Sequence, residues 1–97
     1  VIRNAPVLLA ASAPAEADDG LVDVAIALSY LELAALPMGL GTCWAGLVQA
    51  ALLHWEPTKE ALGLPKGHGN HYPMMLGYPV FPYHRLPERK APVIHWK

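Results

Sequence analysis

The stretch that most constrains the fold is residues 39–46, Gly-Leu-Gly-Thr-Cys-Trp-Ala-Gly, which separates two apolar runs. Three glycines in eight residues mark places where the backbone bends tightly or lies close to another group. Pro37 cannot continue a helix, and Gly39 suits the left-handed residue that closes one. The stretch therefore predicts a helix that ends near residue 36 and a new element soon afterwards.

The segments on both sides of these glycines have helical character. Residues 21–36 are almost all good helix formers, and apolar residues surround nearly the whole circumference of the resulting helix. Such a helix is predicted to be buried, with Asp18 or Asp19 as its cap. Residues 42–45 predict a short strand, and residues 47–55 an amphipathic helix.

The remaining elements are short. Apolar runs at 7–13 and 72–77 predict buried strands, and Thr58 is the expected cap of a single helical turn. Four prolines beyond residue 77 predict an extended arm over 78–92. Residues 93–96 could add a final strand, to the sheet of another chain.

Composition indicates a single domain, residues 1–97, with more apolar surface than the chain alone can bury. Hydrophobic residues make up 54% of the 97 and charged residues only 15%, so a partner chain or a further part of the protein is expected to cover some of this surface. The chain starts at Val1 and enters a strand almost at once, which suggests a fragment of a larger protein.

The net charge of −1 gives no indication of nucleic-acid binding. A lone Cys43 cannot form an internal disulfide, which fits a reducing compartment such as the cytoplasm.

Charge is unevenly distributed. Four of the seven Lys and Arg residues lie in the last thirteen positions, among them Arg85 and Arg89. The rigid fork of arginine suits a phosphate group, and prolines would stiffen the backbone that carries it. From these residues alone, a solvated tail is the favoured interpretation, and phosphate binding stays open.

The glycine segment does not match a dinucleotide-binding fingerprint. That motif requires G-x-G-x-x-G between a strand and a helix, whereas here a helix precedes the first pair and the third glycine falls at position 46. A helix end explains Gly39 but explains Gly41 and Gly46 less well. Gly46 opens the predicted helix 47–55, whose free N–H groups could donate to a ligand. Structural and functional roles are both open on this motif alone.

Other candidate sites are weaker. Cys43 beside Trp44 is expected to be buried packing, and His68 and His71 lack the companion ligands of a zinc site, so no metal is expected.

Residues 33–53 contain no charge over twenty-one positions, which is long enough to span a bilayer. The proline and the three glycines within that run argue against a span, so no membrane partner is expected.

Five segments together resemble the C-terminal half of FMN-dependent nitroreductases, in order and spacing across nearly the whole chain. They are residues 28–35 (LSYLELAA), 39–46 (GLGTCWAG), 61–65 (ALGLP), 75–79 (MLGYP) and 83–87 (YHRLP). The resemblance implies an α+β fold with a mixed, mainly antiparallel sheet flanked by helices. It also implies an intertwined homodimer with FMN at its interface, and an arm from about 78 to 97 that reaches over the partner.

The resemblance also implies an activity and a site. Enzymes of this kind take a hydride from NADH or NADPH onto flavin N5 and pass electrons to nitroaromatics, quinones or related acceptors. The amides of Ala45 and Gly46 match those that face the N5 and O4 edge of the ring, and Gly41 belongs to the same segment. Arg85 matches the arginine that contacts the FMN phosphate, with Arg89 a second candidate. No residue is assigned a catalytic role.

One departure from the family pattern argues against FMN binding by this chain alone. The basic N-terminal arginine–serine–arginine segment of the family is absent from these 97 residues. The chain alone is therefore expected to bind FMN poorly. The alternative is a non-catalytic α+β dimerisation or interaction domain that has lost the flavin.

Overall fold

The computed structural model describes residues 2–97 and has an α+β architecture. Three strands, β1 (Val7–Ala13), β2 (Gly41–Trp44) and β3 (Asn70–Gly77), form one sheet in the order β1-β3-β2. Both strand pairs are antiparallel. The last strand in sequence is therefore the central one. All three predicted strands are confirmed, with bounds that differ by at most two residues. The first, β1, was predicted to be buried, but none of its residues is fully buried.

Helices follow the first two strands of this sheet. Helix α1 (Gly20–Ala35) leads into a 3₁₀ turn at Leu36–Met38, and α2 (Gly46–His54) is followed by α3 (Glu56–Ala61). The predicted first and second helices are confirmed. Asp19 does occupy the N-cap of α1, but its side chain makes no capping hydrogen bond.

The third helix differs from its prediction. It begins at Glu56 and has Trp55 as its N-cap, so Thr58 lies inside the helix and is not its cap. Pro57 does not end α2 but stands in the first turn of α3, where its fixed φ is already helical. The break between the two helices comes from the extended backbone of Trp55, with φ at −140°.

The hydrophobic core lies on both faces of β3. Met74 packs with Val24 and Leu28 of α1, whereas Met75 packs on the other face with Val48 and Leu52 of α2. Neighbouring residues of a strand point to opposite faces, which explains why consecutive methionines enter two different clusters. Each fully buried side chain of this size contributes about 1.5–3 kcal/mol relative to an exposed one. The central strand thus joins the two clusters.

Helix α1 is only partly buried, contrary to its prediction. Its buried positions are Gly20, Val24, Leu28 and Ala35, which form one stripe against the sheet. The opposite side leaves large apolar side chains exposed: Leu21, Val22, Ile26, Tyr30 and Leu33. A helix that is apolar all round needs covering on every side. Residues 2–97 cover only one of them.

Length and composition alone would allow Gly20–Met38 to cross a membrane. Core helices of soluble proteins pass the same test, and this one packs Val24 and Leu28 against the sheet. The uncharged run 33–53 forms no single helix, because it is divided among α1, the 3₁₀ turn, β2 and α2.

The arm beyond Gly77 contains neither helix nor strand, which confirms that its prolines exclude a helix. Every residue from Tyr78 to Lys97 is exposed. Val93, Ile94 and Trp96 pair with no strand of the described chain. The final strand, predicted to form on a partner, remains a prediction.

Candidate functional site

The glycine segment joins the end of α1 to β2. Gly39 has a φ of 74°, and its N–H donates to the Leu36 carbonyl at 3.0 Å. The Leu40 N–H donates to the Ala35 carbonyl at 3.1 Å, so the two bonds close the helical end. The predicted left-handed role of Gly39 is confirmed. Gly41 is the first residue of β2, opposite Gly77, and is not among the residues with positive φ.

The amides of Ala45 and Gly46 differ in availability. The Ala45 N–H donates to the Pro73 carbonyl of β3 at 3.0 Å, and the residue is buried. That donor is already satisfied, which revises the expectation that it faces a ligand. Gly46 is exposed and begins α2, and its N–H has no acceptor recorded within residues 2–97. Of the two amides, that of Gly46 is the one left for a ligand.

Within residues 2–97, no close contact requires glycine at position 46 or at position 41. A Cβ placed on Gly46 would lie 3.7 Å from the hydroxyl oxygen of Tyr72, and one on Gly41 would lie 3.5 Å from the Cβ of Pro79. Both are ordinary van der Waals distances. The missing side chain at Gly46 therefore leaves open space beside a residue with a free amide, as close approach by an external group would need.

One wall beside Gly46 is built from two aromatic rings. Trp44 and Tyr72 pack edge to face, with ring centroids 5.3 Å apart and an interplanar angle of 72°. The Trp44 indole N–H donates to a carboxylate oxygen of Glu32 on α1 at 3.2 Å. These contacts fix the Tyr72 ring, although no hydrogen bond is recorded for its hydroxyl among the described residues. Sequence reasoning did not single out Tyr72, because only the pairing of β2 with β3 brings it next to Trp44 and Gly46.

A buried polar pair ties α2 to the central strand. His71 is 1% exposed, and its Nδ1 lies 3.0 Å from the Oε1 of Gln49. Since an amide oxygen only accepts, Nδ1 carries the proton and donates. Burial lowers the pKa of His71, the positive charge of Lys59 lowers it further, and a backbone hydrogen bond opposes both effects. No sequence signal marked Gln49 as the partner of this histidine.

Cys43 is exposed, which corrects the prediction that it is buried. It lies on β2 and lines a cleft of about 440 Å³ together with Gly41, Arg3, Tyr78 and Tyr83. Within the part of the chain that is described, no group of three or more His, Cys, Asp or Glu side chains is placed to hold a metal ion.

Arg85 and Arg89 both lie on the exposed arm. Neither forms a hydrogen bond or an ion pair with another residue of the described range. The cleft that contains Gly41 includes Tyr83 but not Arg85. The chain by itself therefore does not assemble these arginines with the glycine segment, and their phosphate contact stays a prediction.

The fold and the site define an α+β protein whose sheet positions a glycine with a free amide at the start of a helix. Residues 1–78 match the family model described as the Nitroreductase family. Because that match covers most of the chain, the chain belongs to the nitroreductase family, whose members have flavin oxidoreductase-type functions. No curated protein and no solved structure matches the chain. Arg85 and Arg89 lie beyond the matched range.

Proposed function

We propose that this chain forms part of an FMN-dependent oxidoreductase that passes electrons from NADH or NADPH through flavin N5 to nitroaromatic, quinone or related acceptors. The observation that carries the proposal is the exposed Gly46 amide, free of an acceptor and inside the region that matches the family. A flavin, when bound, supplies the reversible hydride and electron chemistry. The protein supplies binding, orientation and electrostatics.

The residues present fit one edge of such a cofactor. Gly46 would donate its amide to a ring acceptor, and the start of α2 adds the positive end of a helix dipole. The absence of a side chain at Gly46 lets a flat ring come close to that amide. Ala45 would contribute packing, since its N–H already bonds to Pro73. Arg85, with Arg89 as the second candidate, would hold the phosphate once the arm is placed against the site.

A homodimer would complete this site. The exposed apolar side of α1 and the exposed Phe81, Val93, Ile94 and Trp96 of the arm support it, because side chains of this kind are stabilised when a partner removes them from water. In this proposal the arm crosses to the partner, where 93–96 adds a strand. The enzyme works in the cytoplasm, where a lone, exposed Cys43 would stay reduced.

The test uses the full-length protein. It is purified, supplemented with FMN, desalted and examined for the visible absorbance of bound flavin, and sedimentation gives its oligomeric state. Bound flavin that NADH or NADPH bleaches without oxygen, and that a nitroaromatic or a quinone reoxidises, would support the proposal. If no flavin is retained, the chain is instead a non-catalytic dimerisation or interaction domain.

A further inference from the structure

We infer that the hydroxyl group of Tyr72 is a second donor to the flavin ring beside the Gly46 amide, an inference that rests on the proposed function. Tyr72 belongs to β3, whereas Gly46 begins α2, so the sheet brings the two groups together from distant positions in the sequence. Neither group has a hydrogen-bond partner recorded within residues 2–97.

Proximity is the first argument. The place that a Cβ would take on Gly46 lies 3.7 Å from the Tyr72 hydroxyl oxygen. The hydroxyl oxygen therefore borders the space beside Gly46, the residue whose amide is free. A phenol O–H can donate a hydrogen bond just as an amide can, so one acceptor atom entering that space could receive both.

Rigidity is the second argument. The Tyr72 ring packs edge to face on Trp44, and Trp44 is itself held by its hydrogen bond to Glu32. The residue also packs against the cluster of Val24, Leu28 and Met74. The hydroxyl is therefore presented from a fixed ring, and little side-chain entropy is lost when it binds.

Hydrogen bonds from the Gly46 amide and the Tyr72 hydroxyl would shift the midpoint potential of the flavin in one direction. Donors aimed at an edge that gains negative charge on reduction stabilise the reduced ring more than the oxidised one. Tyr72 thus both strengthens binding and raises the midpoint potential of the bound flavin. Its role is to bind and tune the ring, and no proton transfer is assigned to it.

The test compares Tyr72→Phe with Tyr30→Phe in the full-length protein. Tyr72→Phe removes only the hydroxyl and keeps the ring that packs on Trp44. Tyr30→Phe makes the same chemical change on α1, at a side chain that is 71% exposed. The readouts are the FMN dissociation constant from quenching of flavin fluorescence, the midpoint potential, and the thermal unfolding of the protein without FMN.

We expect Tyr72→Phe to raise the FMN dissociation constant about three- to tenfold, the range for one neutral hydrogen bond, and to lower the midpoint potential. Tyr30→Phe should change neither. Equal affinity and potential in the wild type and Tyr72→Phe overturn the inference while the proposed function stands. A wild-type protein that binds no FMN overturns both.

A second variant covers the case in which Tyr72→Phe also lowers the unfolding temperature without FMN. Gly46→Ala puts a methyl group into the space in front of the hydroxyl, at an exposed position with no close contact inside the chain. It should weaken FMN binding at unchanged stability. Unchanged FMN affinity in Gly46→Ala would show that no ring atom occupies this space and would overturn the inference.

Discussion

Lowering the pH should destabilise this protein through one buried side chain, His71. Burial and the charge of Lys59 hold its pKa below the ordinary value of 6.5 in the folded state. On unfolding, the ring reaches water and regains its ordinary affinity for protons. Between the folded pKa and 6.5, the unfolded state therefore binds more protons, and the free energy of unfolding falls as the pH falls.

The size of the effect follows from linkage. One proton difference gives a slope of up to about 1.4 kcal/mol per pH unit between the two pKa values. Well above pH 6.5, His71 is neutral in both the folded and the unfolded state, so it causes no loss in the free energy of unfolding. Below the folded pKa the ring is protonated in both states, and the free energy of unfolding falls no further on its account. The hydrogen bond from Nδ1 to Gln49 persists in both protonation states, since Nδ1 donates in each. The loss therefore reflects the cost of charging a buried ring.

The assay is urea unfolding of the full-length protein at a series of pH values, for the wild type and two variants. His71→Asn removes the titration but keeps an N–H donor near the position of Nδ1, so that the bond to Gln49 is retained. His95→Asn makes the same change on the exposed arm. We expect the pH dependence below 6.5 to become shallower in His71→Asn only. Parallel profiles for the wild type and His71→Asn would refute the reasoning.

Three further substitutions test the fold and the site. Met74→Ala should lower the free energy of unfolding by about 2–5 kcal/mol, because it leaves a cavity between α1 and the sheet. The control Met38→Ala, at an exposed position, should lower it by less than about 0.5 kcal/mol. Equal losses in urea unfolding would contradict this prediction. Gly39→Ala should cost about 1–2 kcal/mol because φ is 74°, and Gly41→Ala much less; the reverse order would refute the backbone argument. Arg85→Ala should weaken FMN binding by about 1.5–3 kcal/mol, the range for charged hydrogen bonds, and unchanged affinity in a fluorescence titration would rule out its phosphate contact.

Local sequence signals predicted most of the secondary structure. The end of α1 at Pro37 and Gly39 depends on backbone restrictions that each residue carries with it. The three strands and the proline-rich arm follow in the same way from short-range preferences. The order of elements and the family resemblance were thus available before any tertiary contact was known.

Sequence reasoning failed at one local helix boundary and at two places where the answer depended on a distant neighbour. Thr58 was expected to cap α3, but the N-cap is Trp55, three residues earlier, and Pro57 stands in the first turn. Cys43 was expected to be buried, yet the residues that the structure describes leave it exposed. The Ala45 amide was assigned to a ligand, but β3 supplies a carbonyl acceptor from Pro73. In the last two cases, the competing partner or its absence could not be read from adjacent residues.

By itself, the sequence determined where α1 ends and where the extended arm begins, because glycine and proline restrict the backbone locally. It also determined the family, through motifs spread along the chain. Only the tertiary structure decided which of two neighbouring amides is free, since that depends on the register between β2 and β3. It likewise placed Tyr72 beside Gly46 and joined His71 to Gln49. Hydrogen bonds and burial depend on distances in space, and residues that are far apart in sequence set those distances.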